Sequence, residues 1–204
     1  MPAKQARHVK WDPPPHGRFK LNTDGAVNYN TGDGGLGGVI RNHKGDWVID
    51  FTSKSANTTP LLAELSALRQ GLIMASSNNL TPLDISLDSL EVINMFHTEN
   101  PLFNNLIFEC RSLMEKLGAA PPAHIFREQN KLADLLSKEG LKCTAFGKPK
   151  FLIVPPMYAN NAIWNDILGT MYVRESNVCN FVETGLLQPQ NNSNPVACNM
   201  PLVT

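Results

Sequence analysis

The chain has 204 residues, enough for one domain of ordinary size with extensions, and 42% of them are hydrophobic, which is enough for a native-type core. The 18 basic and 18 acidic residues balance to zero net charge, which argues against a strongly basic nucleic-acid binder. We expect an intracellular protein (nucleus or cytoplasm) with no membrane partner, because signal-peptide, membrane-helix and C-x-x-C patterns are all absent.

The first 17 residues predict a basic, proline-rich arm. Residues 1–20 carry five cations against a single acid, Asp12. The Pro13–Pro15 run cannot continue a helix, because proline lacks an N–H and fixes φ. A solvated terminus is the simplest interpretation of this arm.

Three strands are predicted next. Phe19–Asp24 alternates in side-chain character, as a half-buried strand does. Residues 38–41 and 47–51 read as two further strands. The loop between them predicts a hairpin, in which Gly45 can adopt positive φ.

The remaining elements are mainly helical. A helix is predicted to begin at Thr59 and Pro60, which suit the N-cap and first helical positions. After it, in chain order, we expect a strand over 83–87, a helix from near Ser89, a helix over 102–117, a strand over 123–126 and a helix over 128–140. This order predicts an α/β fold with a mixed sheet, antiparallel first and parallel later.

These elements set the predicted domain limits. The arm covers 1–17 and the folded domain covers 18–142. An irregular extension is expected over 143–187. The Asn-rich segment 188–204 is expected to be a disordered tail.

Four carboxylates stand at the ends of strands or on the predicted helices: Asp24, Glu64, Asp88 and Asp134. Residues at such places can converge at one edge of a mixed sheet. Buried carboxylates that converge repel one another unless cations lie between them. Hard divalent ions with oxygen ligands fit this need, and Mg²⁺ is the expected one.

Each acid also has an ordinary structural explanation. Asp24 suits a turn, and Glu64 suits the positive end of a helix dipole. Asp88 can cap the following helix, and Asp134 can pair with Lys138 four residues later. Spacing alone leaves these alternatives open.

A set of five motifs in fixed order carries a family resemblance. They are Lys20–Ala26, Gly34–Arg41, Ala63–Leu68, Leu87–Ser89 and Arg127–Asp134. Together they resemble the plant ribonuclease H-like domains related to the reverse transcriptases of non-LTR retrotransposons. The resemblance covers roughly residues 11–174.

The resemblance implies a ribonuclease H-like five-stranded mixed sheet flanked by helices, over 18–142. It implies a monomeric endonuclease that hydrolyses the RNA strand of RNA–DNA hybrids with two Mg²⁺ ions, for which Mn²⁺ can substitute. Asp24, Glu64, Asp88 and Asp134 would be the metal ligands. Arg127 would stand near the place where bacterial and animal enzymes carry a mobile histidine, and would steady the phosphate or assist product release.

Five further residues are candidate substrate contacts: Asn22, Gly25, Asn28, Gly37 and Asn130. The glycines would let the backbone approach a ligand, and the amides would supply polar contacts. Turn chemistry is an equally good explanation for Asn22 and Asn28.

A second function remains open. The chain could be a catalytically silent nucleic-acid-binding or interaction module derived from a retrotransposon. Zero net charge and the irregular tail favour this module, whereas four intact acids favour the enzyme.

Overall fold

The computed structural model describes residues 4–98 and 100–177, so the predicted tail at 188–204 lies outside the described residues. The strands found there are β1 (Lys4–Val9), β2 (Phe19–Val27), β3 (Gly34–Asn42), β4 (Trp47–Ser55), β5 (Leu83–Leu87), β6 (Ala123–His124), β7 (Lys150–Leu152) and β8 (Tyr172–Asn177). The α-helices are α1 (Pro60–Ser77), α2 (Leu90–Met95), α3 (Asn104–Lys116), α4 (Lys131–Gly140) and α5 (Asn160–Ile167). Short 3₁₀ helices, Arg127–Gln129 and Met157–Ala159, precede α4 and α5.

A mixed sheet forms the centre of the fold, with strand order β6-β5-β2-β3-β4-β7. Strands β2, β3 and β4 are antiparallel neighbours, whereas β5 runs parallel to β2 and β6 parallel to β5. The predicted α/β class, with antiparallel pairing first and parallel pairing later, is confirmed. The sheet has one strand more than expected, because β7 adds antiparallel to the outer edge of β4. A strand of three residues is too short to show the alternation that predicts strands from sequence.

Helix α1 begins where the capping chemistry predicts. The Thr59 hydroxyl accepts a hydrogen bond from the Leu62 N–H, and Pro60 takes the first helical position. Leu65, Leu68 and Leu72 are fully buried on one face of the helix. Each such burial stabilises the fold by roughly 1.5–3 kcal/mol, so this face holds α1 firmly against the sheet.

The two segments that flank the sheet pair with each other. Strand β1 lies antiparallel to β8 and forms a separate two-stranded sheet. The arm is therefore a strand over 4–9, and residues 143–177 contain β7, α5 and β8 where we expected irregular chain. Their partners lie more than 160 residues apart in sequence, which local patterns cannot reveal. The limits of the predicted domains stay predictions.

The helices and the cysteines bear on whether the chain has a membrane span or disulfide bonds. Among the described residues, no helix combines the length and apolar character needed to cross a bilayer. Cys110 and Cys143 carry free thiols.

Candidate metal centre and nucleic-acid interface

The register of two parallel strands brings Asp24 and Asp88 together. Asn22 of β2 lies opposite Ser86 of β5. Continuing this register by two residues sets Asp24 beside Asp88, directly after β5 ends. Neighbouring strands are about 4.8 Å apart, so the two carboxylates share one end of the sheet.

Helix α1 supplies Glu64 as the third acid. The helix crosses close to β2 at Gly25, where an added Cβ would lie only 2.4 Å from the Glu64 backbone nitrogen. Only glycine permits this approach. One oxygen from each of Asp24, Glu64 and Asp88 lies within 4.8 Å of the others.

Burial and mutual repulsion perturb these acids. Burial is the main cause that raises the pKa of Asp24 to about 6; the charges of Asp88 and Asp134 contribute to the rise, and the hydrogen bond from the Ser137 hydroxyl opposes it. Burial, followed by the charges of the nearby Asp24 and Asp88, raises the pKa of Glu64 to about 9. A cation at this site would favour the charged forms of Asp24 and Glu64.

Asp134 reaches the same site from α4 but is held differently. Its carboxylate accepts a hydrogen bond from Lys138 Nζ at 2.7 Å, the i,i+4 pair that was the alternative explanation, and its side chain is 44% exposed. The neighbouring turn of α4 contributes Ser137, whose hydroxyl donates to Asp24 Oδ2 at 2.5 Å. The structure thus brings three of the four predicted acids into one cluster, with the fourth at its edge.

Asp24, Asp88 and Asp134 line a cavity of about 530 Å³. Its lining residues are Asp24, Gly25, Ala26, Asp88, Arg127, Glu128, Lys131, Asp134 and Lys138. Arg127 lies at the rim with its side chain 90% exposed, and its Nε is 3.8 Å from Asp88 Oδ2. The predicted position of Arg127 beside the acids therefore agrees with the geometry.

Two predicted substrate contacts are buried instead. Asn22 and Asn130 are each 1% exposed, and their side chains hydrogen-bond to each other at 3.3 Å. Asn130 Nδ2 also donates to Asp88 Oδ1 at 2.9 Å. Neither side chain reaches the surface, and Asn130 orients an acid; contact of these two amides with a ligand stays a prediction.

The other three predicted contacts differ among themselves. An added Cβ at Gly37 would lie 2.1 Å from the Ser137 nitrogen, so Gly37 serves the packing of α4 on the sheet and does not line the cavity. Gly25 serves packing and also lines the cavity. Asn28 is exposed in a turn, where its Oδ1 accepts from the Asn30 N–H at 3.0 Å.

The sequence did not single out several residues of this site. Glu128 and Lys131 line the cavity, as does Lys138, which was considered only as a partner of Asp134. Ser137 lies three residues after Asp134 on the helix and could have been found from that spacing.

The donor set fits a hard divalent cation. Asp24, Glu64 and Asp88 offer only carboxylate oxygens, the ligands that Mg²⁺ and Mn²⁺ take, and no His or Cys joins the cluster among the described residues. The cavity leaves one side of the cluster open, which a catalytic rather than a structural ion requires.

A comparison with family models decides the relationship. The model described as "Reverse transcriptase-like" matches residues 22–140, more than half of the chain. The chain belongs to the reverse transcriptase-like family. Its sheet and helices form a ribonuclease H-like domain, as the five motifs implied.

Relatives of this ribonuclease H-like domain agree. An Arabidopsis thaliana protein named "Putative ribonuclease H protein" is 29% identical over 168 residues, which cover 80% of this chain. The chain matches only 27% of that longer protein.

Solved structures share the ribonuclease H-like fold. RNase H1 from the halophilic archaeon Halobacterium salinarum is 25% identical, with a TM-score of 0.58 over 62% of this chain and 98% of that chain. LC11-RNase H1, solved in complex with an RNA/DNA hybrid, has a TM-score of 0.55 at 24% identity, over 61% of this chain and 96% of that chain.

Proposed function

We propose that this ribonuclease H-like domain is a metal-dependent endonuclease that hydrolyses the RNA strand of RNA–DNA hybrids. The observation that carries the proposal is the cluster of Asp24, Glu64 and Asp88, whose oxygens lie within 4.8 Å of one another beside an open cavity. The family and the structural neighbours support a nuclease of this class.

The charges around the cavity suit a polyanionic ligand. Arg127, Lys131 and Lys138 surround the acids at its mouth. Cations at these places can hold phosphates by charge-assisted hydrogen bonds while the acids below face the scissile group. Zero net charge overall is compatible with this, because a phosphate needs only local cations, and these three line the cavity.

Asp24, Glu64 and Asp88 would hold two Mg²⁺ ions, or Mn²⁺, with Asp134 joining from α4. Bound ions in such sites activate a water molecule and stabilise the leaving oxygen. The protein's own groups prepare the site. Ser137 fixes one oxygen of Asp24, and Asn130 fixes one oxygen of Asp88. Arg127 would steady the phosphate, and contacts to 2′-hydroxyl groups would select the RNA strand.

Hydrolysis of a labelled RNA–DNA hybrid tests the proposal. We expect cleavage of the RNA strand with Mg²⁺, none in EDTA and none of duplex DNA. Asp88→Asn should abolish the cleavage, and Asp46→Asn in the exposed hairpin is the matched control. Cleavage that survives Asp88→Asn undiminished would remove this mechanism.

A catalytically silent binding module is the second candidate, and one observation favours it. Asp134 is already paired with Lys138, so one of the four acids has a partner without any metal. Thermal unfolding with and without Mg²⁺ distinguishes the two. Stabilisation that grows with Mg²⁺ concentration supports the enzyme. Hybrid binding without metal-dependent stabilisation supports the module.

A further inference from the structure

A buried hydrogen-bond chain runs from outside the 22–140 family region into the acid cluster. It starts at Trp11, which lies between β1 and β2 and is 5% exposed. Trp11 Nε1 donates to Asn22 Oδ1 at 3.0 Å. Asn22 Nδ2 donates to Asn130 Oδ1, and Asn130 Nδ2 donates to Asp88 Oδ1.

A second branch enters from the C-terminal side. Arg41 Nη2 donates to the same Asn22 Oδ1 at 3.3 Å, and its Nη1 pairs with Asp166 of α5 at 2.6 Å. The Arg41 guanidinium also stacks on the Trp11 ring, 3.4 Å from its centroid. The side chains of Arg41 and Asp166 are 2% and 5% exposed, so this ion pair is almost completely shielded from solvent.

The donors at the start of this hydrogen-bond network fix the orientation of both amides. An indole N–H and a guanidinium can only donate hydrogen bonds, so they fix Asn22 with its oxygen toward them. Its amide nitrogen must then face Asn130, which turns the Asn130 nitrogen toward its two acceptors. These are the Thr23 carbonyl at 2.9 Å and Asp88 Oδ1 at 2.9 Å. Either amide would lose its partners if it were flipped.

We propose that Trp11 and Arg41 are positioning residues of the metal centre. They act through the Asn22–Asn130 amide pair, which presents an N–H to Asp88 Oδ1 and leaves Asp88 Oδ2 directed toward Arg127 and the cavity. The inference rests on the proposed function, since it takes Asp88 as a ligand. It adds that two residues outside the 22–140 family region help to set the geometry of that ligand: Trp11 directly, and Asp166 through its ion pair with Arg41.

Buried networks of this kind are cooperative, because each bond polarises the next where water is excluded. Partners that orient a metal ligand change metal affinity by 10–100-fold when removed. We therefore expect Asn130→Ala, which removes the bond to Asp88, to raise the Mg²⁺ concentration for half-saturation by about 10-fold or more. Activity at saturating Mg²⁺ should largely recover.

Trp11→Phe is the milder test, because it keeps an aromatic ring against Arg41 and removes only the indole donor. We expect it to raise the half-saturating Mg²⁺ concentration about threefold, the effect of one neutral hydrogen bond. Trp47→Phe is the matched control, because the buried Trp47 Nε1 has no hydrogen-bond partner among the described residues. It should leave metal affinity unchanged.

A spectroscopic measurement on the unaltered chain needs no variant. In a ¹⁵N-edited spectrum, the Trp11 indole N–H should shift as Mg²⁺ is added, because it is joined to Asp88 by the amide pair. The indole of Trp164, which is 59% exposed on α5, should not shift. Calorimetric titration with Mg²⁺ measures the metal affinity of the unaltered chain and of each variant.

The outcomes separate the two proposals. Absence of Mg²⁺ binding by the wild-type chain would overturn both. Metal binding that is unchanged in Asn130→Ala and equal in Trp11→Phe and Trp47→Phe would overturn only this inference. A third outcome is that Trp11→Phe loses stability but keeps its metal affinity, and that the wild-type indole does not shift. The hydrogen-bond network would then be merely structural, which also overturns this inference.

Discussion

The acids of the candidate site divide into an inner group and an outer member. Asp24, Glu64 and Asp88 are enclosed by the sheet, by α1 and by the amide pair, so each carboxylate has little freedom. Asp134 lies on the solvent side of α4 with its side chain 44% exposed, and it already pairs with a lysine.

The difference shows how two kinds of carboxylate serve one site. The inner acids are preorganised, and Asp24 and Glu64 destabilise the metal-free protein, because burial opposes their charge. The outer acid is solvated and adjustable, so its contribution to stability is small. We expect the inner group to determine whether a metal binds, and Asp134 to adjust how it binds.

The largest expected effect separates Asp24→Asn from Asp134→Asn. Losing an inner ligand removes several kcal/mol of metal-dependent stabilisation, so Asp24→Asn should lower hybrid cleavage by about 1,000-fold or more. Asp134→Asn should cost about 10–100-fold, because the inner three acids remain. Cleavage rates at equal Mg²⁺ concentration check this. Equal losses for the two variants would contradict the division into inner and outer acids.

The inner acids could be predicted from the sequence better than the outer acid, Asp134. Asp24, Glu64 and Asp88 stand at a strand, an early helix turn and a strand end, and parallel pairing of β2 with β5 brings two of them together. Local patterns predict those elements, so convergence could be anticipated. Asp134 lies on a helix face whose direction depends on how α4 packs at Gly37, which no local pattern reports.

The amide pair shows what sequence reasoning could not reveal. Asn22 alternates onto the same face of β2 as Asp24, and a polar residue there suggests a ligand contact. The structure buries it under Trp11 and Arg41, residues from a separate segment and a neighbouring strand. Burial by distant segments converts an apparent contact residue into a positioning one. The strand pairing of β1 with β8 is hidden for the same reason.

The inner group also predicts an unusual pH dependence of metal-free stability. In the unfolded chain, Asp and Glu lose their protons near pH 4. In the folded protein, burial raises the pKa of Asp24 to about 6 and that of Glu64 to about 9. The folded state holds protons that the unfolded state has lost, so the free energy of unfolding falls as pH rises from about 4 to 9.

Urea unfolding in EDTA at pH 5, 7 and 9 measures this fall. Glu64→Gln should reduce it by more than about 1.4 kcal/mol, the free energy of one pKa unit, because glutamine does not titrate. Part of the fall remains, since burial also raises the pKa of Asp50 to about 7. Exposed Glu115→Gln is the control. Identical pH profiles for Glu64→Gln and Glu115→Gln would show that Glu64 does not cause the fall in the free energy of unfolding.

The smallest expected effect concerns the partner of the outer acid. Lys138→Ala frees the Asp134 carboxylate, whose present pairing is exposed and contributes about 0.2–1 kcal/mol. Mg²⁺ affinity measured without nucleic acid should therefore rise by about 1.4- to fivefold. Lys142→Ala is matched to it, because Lys142 pairs with Glu139 on the same helix and does not line the acid cavity. If both variants bind Mg²⁺ equally, Lys138 does not compete with the metal for Asp134, and the outer acid is no more adjustable than the inner three.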